Sequence, residues 1–450
     1  MNVAVAKPEN ASKYVIAETI DLAEVPSDLR VGFCLLTTPE SQYAAYYDRE
    51  RNMVVAARSL GSKDWQYHTL PSKVGWDSHN YVTMALDPDG HLHVSGNMHC
   101  VELVYFRTKK PGDITTLQKA TMTGELENRV TYPQFLHDHA SRLIFTYRHG
   151  GSGNGINIYN RYDTVSRTWS RLMSQPLFDG EGLRNAYPTQ PVFGPDGKFH
   201  VTWVWRDTPD CATNQHLSYA RSPDLTHWES VFGEKIELPI RFGHDELLVD
   251  PVPIGGGIIN GGHRLIFDSK GRPVIGYHKS DAAGNMQLYA ARPSENGWER
   301  HVLTEWEKPV DFSGNGSMGF IGIRIADFAI ASPGVLAMDY RHKDYGSGSV
   351  CLDEKSLRPI HVKRNASPKL PRELFQLESD FPGMTMQRFE SLGSYGNNGV
   401  RYLLKWETLE SNRDRRPEPQ RPRPRRAPHR ARHRGDRPAA IRFRAVMSSR

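Results

Sequence analysis

From Val31 onward short apolar runs alternate with clusters of Gly, Pro, Asp and Asn, the pattern of β-strands joined by tight turns. One module recurs, a turn followed by a strand. It reads DPDGHLHVS from Asp87, DHASRLIFTY from Asp138, GPDGKFHVTW from Gly194, DSKGRPVIGY from Asp268 and SPGVLAMDY from Ser332. Taken at turn positions 90, 141, 197, 271 and 334, the steps are 51, 56, 74 and 63 residues. After most copies comes a strand rich in Tyr and Arg, then a polar turn ending on tryptophan. These are YNRYDTVSRTW to Trp169, SYARSPDLTHW to Trp228 and YAARPSENGW to Trp298, with ARSLGSKDW to Trp65 as an earlier copy. Four strands in each unit of roughly 50 to 60 residues is the arithmetic of a β-propeller blade. The pattern therefore predicts an all-β fold, a seven-bladed β-propeller over 31–410, with 1–30 as the N-terminal segment that closes it. The tryptophans are expected to pack between blades.

The run GWDSHNYVTMALDPDGHLHVSGNMHC, Gly75 to Cys100, shows the module most fully. Val82–Leu86 and His91–Ser95 read as two strands, and Asp87-Pro88-Asp89-Gly90 as the turn between them, with proline pre-setting φ and glycine supplying a positive one. The hairpin should bring His79, which leads into its first strand, and His99, which follows its second, to the same open end. Two insertions break the rhythm, Pro239–Gly262 with GGG at Gly255 and Lys308–Gly322 with SGNGSMGFIG. Neither has the Lys-Ser/Thr of a phosphate loop.

Composition changes this picture in three places. The formal net charge of +6 belongs to the C-terminus: from Arg413 onward stand 14 Arg and no Lys against Asp414, Glu418 and Asp436, so this segment carries +11 and the rest of the chain about −5. A slightly acidic body offers no general case for a nucleic-acid partner. The tail, 411–450, has too little apolar content for a core and is expected to be a disordered Arg/Pro-rich extension. Cys34, Cys100, Cys211 and Cys351 form no CxxC pair, which excludes a zinc ribbon or a thioredoxin-type motif. No apolar run of about 18 residues suggests a membrane span, and MNVAVAKPENASKYVIAETI lacks the apolar segment of a signal peptide.

Polar and ionisable residues cluster where strands leave the hairpins. They are His79, Asn80, Asn97, His99, Tyr132 in VTYPQ, Tyr147, Arg148 and His149 in TYRHGGSGNG, Tyr187 in NAYPTQ, Arg206 and Asp207 in WVWRD, and His278 and Lys279 in GYHKSD. His91, His93 and His200 fall on inner strand positions and are expected to be structural. Histidine, tyrosine and arginine recur in the set, while paired carboxylates do not, which argues against an ordinary glycosidase. The set suits β-elimination from a uronic acid. An Arg neutralises the carboxylate beside the C5 proton, a His or Tyr removes that proton, and a second such group protonates the leaving oxygen. No local spacing of ligands supports a metal, and an Arg removes the need for one in the elimination, so no cofactor is expected for catalysis beyond a structural ion.

WDSHN, DPDGHLHVSGNMH, LVYFRTKKPGDI, the TYP and YRHGGSGNG motifs, and DSKGRPVIGYHK with QLYAAR resemble the BNR-repeat polysaccharide lyases over Val31 to Thr408. These are seven-bladed propellers that include ulvan lyases and L-rhamnose-α-1,4-D-glucuronate lyases acting on arabinogalactan side chains. The most specific element is the spacing: two histidines twenty residues apart, then a Tyr followed sixteen residues later by an Arg, here His79, His99, Tyr132 and Arg148. The resemblance implies that Arg148 neutralises the uronate carboxylate, while His79, His99 and Tyr132 share proton transfer and binding, with His99 as the expected base. Asn80, Asn97, Tyr187, Arg206, His278 and Lys279 are the expected substrate-binding residues. HVSGNMH and LVYFRT resemble the rhamnose-glucuronate lyases more closely than the ulvan lyases. The implied partner is a uronate-containing polysaccharide, and the implied location secreted or periplasmic. Two alternatives remain open: an α-L-rhamnosidase of related architecture, whose opposite-face histidine has no counterpart in QYAAYYDRE around Tyr46 and Tyr47, and a non-catalytic carbohydrate-binding propeller.

Overall fold

The computed structural model describes residues 14–362, 370–393 and 400–416, together with the backbone of 441–449. Among the described residues strands are the dominant regular structure, joined by turns and loops, and the helical residues are confined to four single 3-10 turns, at Ile114–Thr116, Cys211–Thr213, Asp245–Leu247 and Arg372–Leu374. All five copies of the repeated turn join two antiparallel strands. The pairs are Val82–Leu86 with Leu92–Gly96, Val130–His137 with Leu143–Gly151, Val192–Phe193 with Phe199–Arg206, Arg264–Phe267 with Pro273–Ser280, and Ile323–Ser332 with Val335–His342. Each turn has a positive φ at the position that the alignment of the modules marks: Gly90 (81°), Ser141 (58°), Gly197 (78°), Gly271 (76°) and Gly334 (76°). In three copies the leading aspartate closes the turn. The Asp87 carboxylate accepts the Asp89 and His91 N–H groups, Asp138 those of Ala140 and Arg142, and Asp268 those of Lys270 and Arg272. These local bonds favour the hairpin register through contacts only a few residues apart.

Among the described residues the strands fall into seven sheets, and the chain divides into two compact units. The first unit comprises Met1–Met98, Val104–Ala120 and Ala366–Arg450. It holds the four-stranded sheets Cys34–Thr37, Ser41–Tyr47, Asn52–Ser59, Gln66–Lys73 and Val82–Leu86, Leu92–Gly96, Tyr105–Thr108, Leu117–Lys119. A third sheet runs in the order Val15–Val25, Ile441–Ser449, Arg401–Leu409, Met384–Glu390. Where the composition of 411–450 suggested a disordered tail, Ile441–Ser449 is thus a strand, because it finds open backbone edges on both sides, on Val15–Val25 and on Arg401–Leu409. Residues 417–440 of that segment lie outside the described residues. In the core of this unit Phe33 packs on Trp406 at 4.8 Å between ring centres.

The second unit, His99–Leu103 with Thr121–Asn365, holds four sheets. One has the order Thr168–Arg171, Asn154–Asp163, Leu143–Gly151, Val130–His137, His99–Val101. Beside it in sequence, Asn185–Pro188, Phe199–Arg206, Asn214–Ser222, Trp228–Glu229 and Lys235–Ile236 form a sheet that also takes in Val192–Phe193 and Leu248–Asp250. The other two are the meanders Arg264–Phe267, Pro273–Ser280, Met286–Ser294, Gly297–Val302 and Ile323–Ser332, Val335–His342, Gly346–Asp353. Trp169 and Trp228 are buried at the start of outer strands. Burial of side chains this large is worth about 1.5–3 kcal/mol each. His93 and His200 are structural, as expected. Each is fully buried, with Nε2 on an aspartate (Asp87 at 3.2 Å, Asp196 at 2.8 Å) and Nδ1 accepting a tyrosine hydroxyl (Tyr105 at 2.7 Å, Tyr219 at 2.5 Å). Burial holds both imidazoles below their ordinary pKa despite the carboxylates, so they are neutral near pH 7 and serve as hydrogen-bonded struts.

Candidate functional site

The backbone of the second unit sets up a row of side chains. His99 pairs with Thr131, Thr131 with Arg148 and Arg148 with Asn157, across four neighbouring strands. Directly opposed residues in antiparallel strands share a face, so this register gathers the Thr131 hydroxyl, a guanidinium and an amide on one side of the sheet, while His99 joins across a register shift and is not among the residues lining the cavity beside Arg148. A β-bulge between Thr131 and Gln134 interrupts the pairing. It contains Tyr132 at φ 58°, and Cys100 beside His99 sits at φ 57°. An aromatic residue in the left-handed region costs about 1–3 kcal/mol, and such strain gathers at sites where a side chain must be re-aimed.

Arg148 is the centre of this arrangement. Its residue is only 1% exposed, yet among the described residues no carboxylate pairs with it. Nη2 donates to Thr131 Oγ1 (3.1 Å) and Cys100 Sγ (3.5 Å), Nη1 to the Tyr187 hydroxyl (3.3 Å), and the buried Nε has no partner. The guanidinium lies over the Tyr132 ring at 4.9 Å and the Tyr187 ring at 5.8 Å, cation–π contacts that partly offset its desolvation. Burial by itself weakens its hold on the proton, but Tyr132, Tyr187 and Cys100 more than reverse this, and its pKa is raised. The result is a fixed positive charge without a counter-ion among the described residues.

A cavity of about 210 Å³ opens beside it. Four tyrosines line it, Tyr132, Tyr147, Tyr159 and Tyr187, together with Arg148, Asn157 and Asn260, and no Asp or Glu is among the lining residues. Tyr132 and Tyr187 meet edge to face at 6.1 Å. Gly155 makes the packing behind the guanidinium feasible, since a Cβ there would come within 2.2 Å of Asn185 Oδ1 and 2.9 Å of Arg148 Cδ. Such a cavity can hold a small anion whose charge meets Arg148 and whose polar atoms meet phenols and amides. It has no pair of carboxylates for acid–base hydrolysis.

The remaining expected residues fall elsewhere. Arg206 stacks over Tyr187 at 5.5 Å, but its guanidinium donates to the Thr208 and Pro209 carbonyls and braces its own loop. His278 and Lys279 do not line this cavity. His278 is 1% exposed, with Nδ1 on the Gly257 carbonyl (3.0 Å) and its ring on Phe312, and burial lowers its pKa to about 4. Lys279 pairs with the buried Asp250 (2.7 Å) and lines a separate cleft formed with the Pro251–Gly256 loop. In the first unit, His79 Nδ1 meets Asp77 Oδ1 at 2.7 Å and Asp414 Oδ2 at 3.5 Å. Asn80 there accepts the Tyr47 hydroxyl through its carbonyl (2.6 Å), and Asn97, at φ 61°, donates to Ser72 Oγ and the Lys73 carbonyl. Thr131, Asn157 and Asn260 were not singled out in the sequence. Asn157 ends the GNGIN stretch and Asn260 lies in the 239–262 insertion, so the glycine-rich character of both segments was the available signal.

The model of the BNR repeat-containing family matches residues 41–306. The chain belongs to this family. An ulvan lyase, short isoform, of Alteromonas sp. (strain LOR) is 29% identical over 146 residues, which is 29% of this chain and 28% of the relative. An ulvan lyase, long isoform, of Pseudoalteromonas sp. (strain PLSV) is 42% identical over 144 residues, 29% of this chain and 14% of the relative. The chain thus covers under a third of the length of these relatives. Among solved structures, polysaccharide lyase Uly1 superposes with a TM-score of 0.60 at 14% identity, covering 96% of this chain and 99% of that one. A family PL25 ulvan lyase bound to -[GlcA(1-4)Rha3S]- gives 0.57 at 14% identity, with 87% and 92% covered. The likeness to these two is one of fold, and it agrees with the all-β, repeat-built architecture expected for this BNR-repeat chain.

Proposed function

We propose that the protein is a polysaccharide lyase that cleaves the L-rhamnose-α-1,4-D-glucuronate linkage by β-elimination. The observation that carries this reading is Arg148, a buried guanidinium without a carboxylate partner at the edge of a tyrosine-lined cavity. A uronate carboxylate seated there supplies the missing counter-charge, and the paired carboxylate draws electron density from C5. The C5–H bond then breaks, its proton passing to His99 or to Tyr132. The electron pair forms the C4=C5 double bond while the C4–O4 bond breaks, and the leaving rhamnose oxygen takes a proton from the other member of that His99–Tyr132 pair. A carboxylate-free lining keeps the charge of Arg148 available to the substrate. His99 and Tyr132 are the proton carriers in this unit, the first on the same sheet row as Arg148 and the second aimed by the bulge.

The matched relatives supply the second reading, the sulfated rhamnose–glucuronate glycan ulvan as the substrate. The two readings share the chemistry and differ in the sugar around it. Incubation with gum arabic arabinogalactan and, separately, with ulvan should generate the ultraviolet absorbance of a 4,5-unsaturated uronate on one of them. Rhamnose release without that chromophore would mean hydrolysis and sink the proposal. Arg148→Ala should lower turnover by about 10²–10³-fold or more, and Arg148→Lys should not restore it, because an ammonium cannot hold a carboxylate in two parallel hydrogen bonds.

A further inference from the structure

We infer that Asn157 and Asn260 form a hydroxyl-reading pair in the Arg148 cavity, and that they restrict it to a uronate whose C2 and C3 hydroxyls are unsubstituted. The inference rests on the uronate reading above and adds the part of the substrate that the guanidinium does not touch. Asn157 is 7% exposed, stands next to Arg148 in register and lines the cavity, and its Oδ1 has no hydrogen-bond partner. Asn260 reaches the same cavity from the 239–262 insertion, and its buried Oδ1 is also without a partner. An unsatisfied buried amide oxygen costs about 1–3 kcal/mol. Two of them lining one cavity beside an unpaired cation make the lining of a site that a ligand completes.

The chemistry of the amide selects the ligand. A carboxamide offers an acceptor and two donors side by side, which a hydroxyl satisfies with its own donor and lone pairs. A sulfate ester offers acceptors only and brings a second negative charge, for which the lining holds no second cation. In a glucuronate, C1 and C4 carry the glycosidic bonds and C5 the carboxylate. The ring hydroxyls left to be read are those on C2 and C3, two groups for two amides.

Calorimetric titration of the full chain with methyl β-D-glucuronide, its 2-deoxy and 3-deoxy analogues and its 2-O- and 3-O-acetyl esters tests this directly. The wild type should bind the parent glycoside at least about tenfold more tightly than any of these, because a site built to bond a hydroxyl penalises its absence. Asn157→Ala and Asn260→Ala should each lose about tenfold on the parent and nothing further on the deoxy analogue that lacks their hydroxyl. Asn157→Ser, which keeps a hydrogen-bonding group, guards against a folding defect, with thermal melts run on every variant. The inference is overturned if the wild type does not bind the parent, if it binds the esters as well as the parent, or if the alanine variants lose equally on all analogues. Binding through the two amides without any unsaturated product overturns the lyase reading and leaves this one standing. Unsaturated product with unchanged kinetics in both alanine variants does the opposite.

Discussion

Thr131 shows how one small buried side chain can govern the site. Its Oγ1 accepts from the Cys100 backbone N–H at 2.8 Å and from Arg148 Nη2 at 3.1 Å, inside a fully buried residue. Thr131→Val keeps the shape and removes the one oxygen that accepts both bonds. We expect a loss of about 1–3 kcal/mol in urea unfolding and a fall in turnover on the uronate glycan; unchanged stability would show that Cys100 and the two tyrosines suffice to hold the guanidinium. Gly155→Ala makes the complementary change. Its new methyl would stand 2.2 Å from Asn185 Oδ1 and 2.9 Å from Arg148 Cδ, so it should cost about 1–3 kcal/mol and displace Arg148. A variant as stable and active as the parent would refute that steric account. At this scale the sequence drew attention to residues whose type is chemically conspicuous, such as Arg148 and Tyr132, which the structure places in one cavity. Thr131 and Asn157 were hidden because their roles come from orientation and burial, which a residue type does not carry.

At the scale of elements, the repeated turn was legible because its determinants lie within a few residues of one another. Asp87, Asp138 and Asp268 bond N–H groups two and four residues on, and positive φ falls at 90, 141, 197, 271 and 334. The C-terminal strand was not legible, since Ile441–Ser449 is organised by partners at Val15–Val25 and Arg401–Leu409 rather than by its own composition. Deleting 441–450 would strip both neighbours of their shared partner and leave two unpaired edges. The shortened chain should melt at a lower temperature and aggregate with rising concentration, as read by calorimetry and light scattering. An unchanged melting profile would mean that this strand adds nothing to the stability of its sheet.

For the molecule as a whole, buried histidines tie stability to pH. Burial lowers the pKa of His263 and of His278 from 6.5 to about 4. Both are neutral when folded but take up protons when unfolded below 6.5, so the unfolded state binds more protons and stability falls as pH drops from 6.5 towards 4. Each shift corresponds to at most about 3 kcal/mol. Urea midpoints should therefore decline over this window, and His278→Gln should flatten the slope; an identical slope in that variant would show that other groups carry the acid sensitivity. By itself the sequence determined the strand-and-turn grammar, the all-β class and the polar residues at the strand ends, because alternation, turn chemistry and composition act locally. Tertiary structure decided which of those residues share a cavity. It joined Arg148 to Asn157 through strand register and to Asn260 through a distant insertion, and it sent His278 into the core, because such proximity depends on strand pairing and packing between segments far apart in the chain.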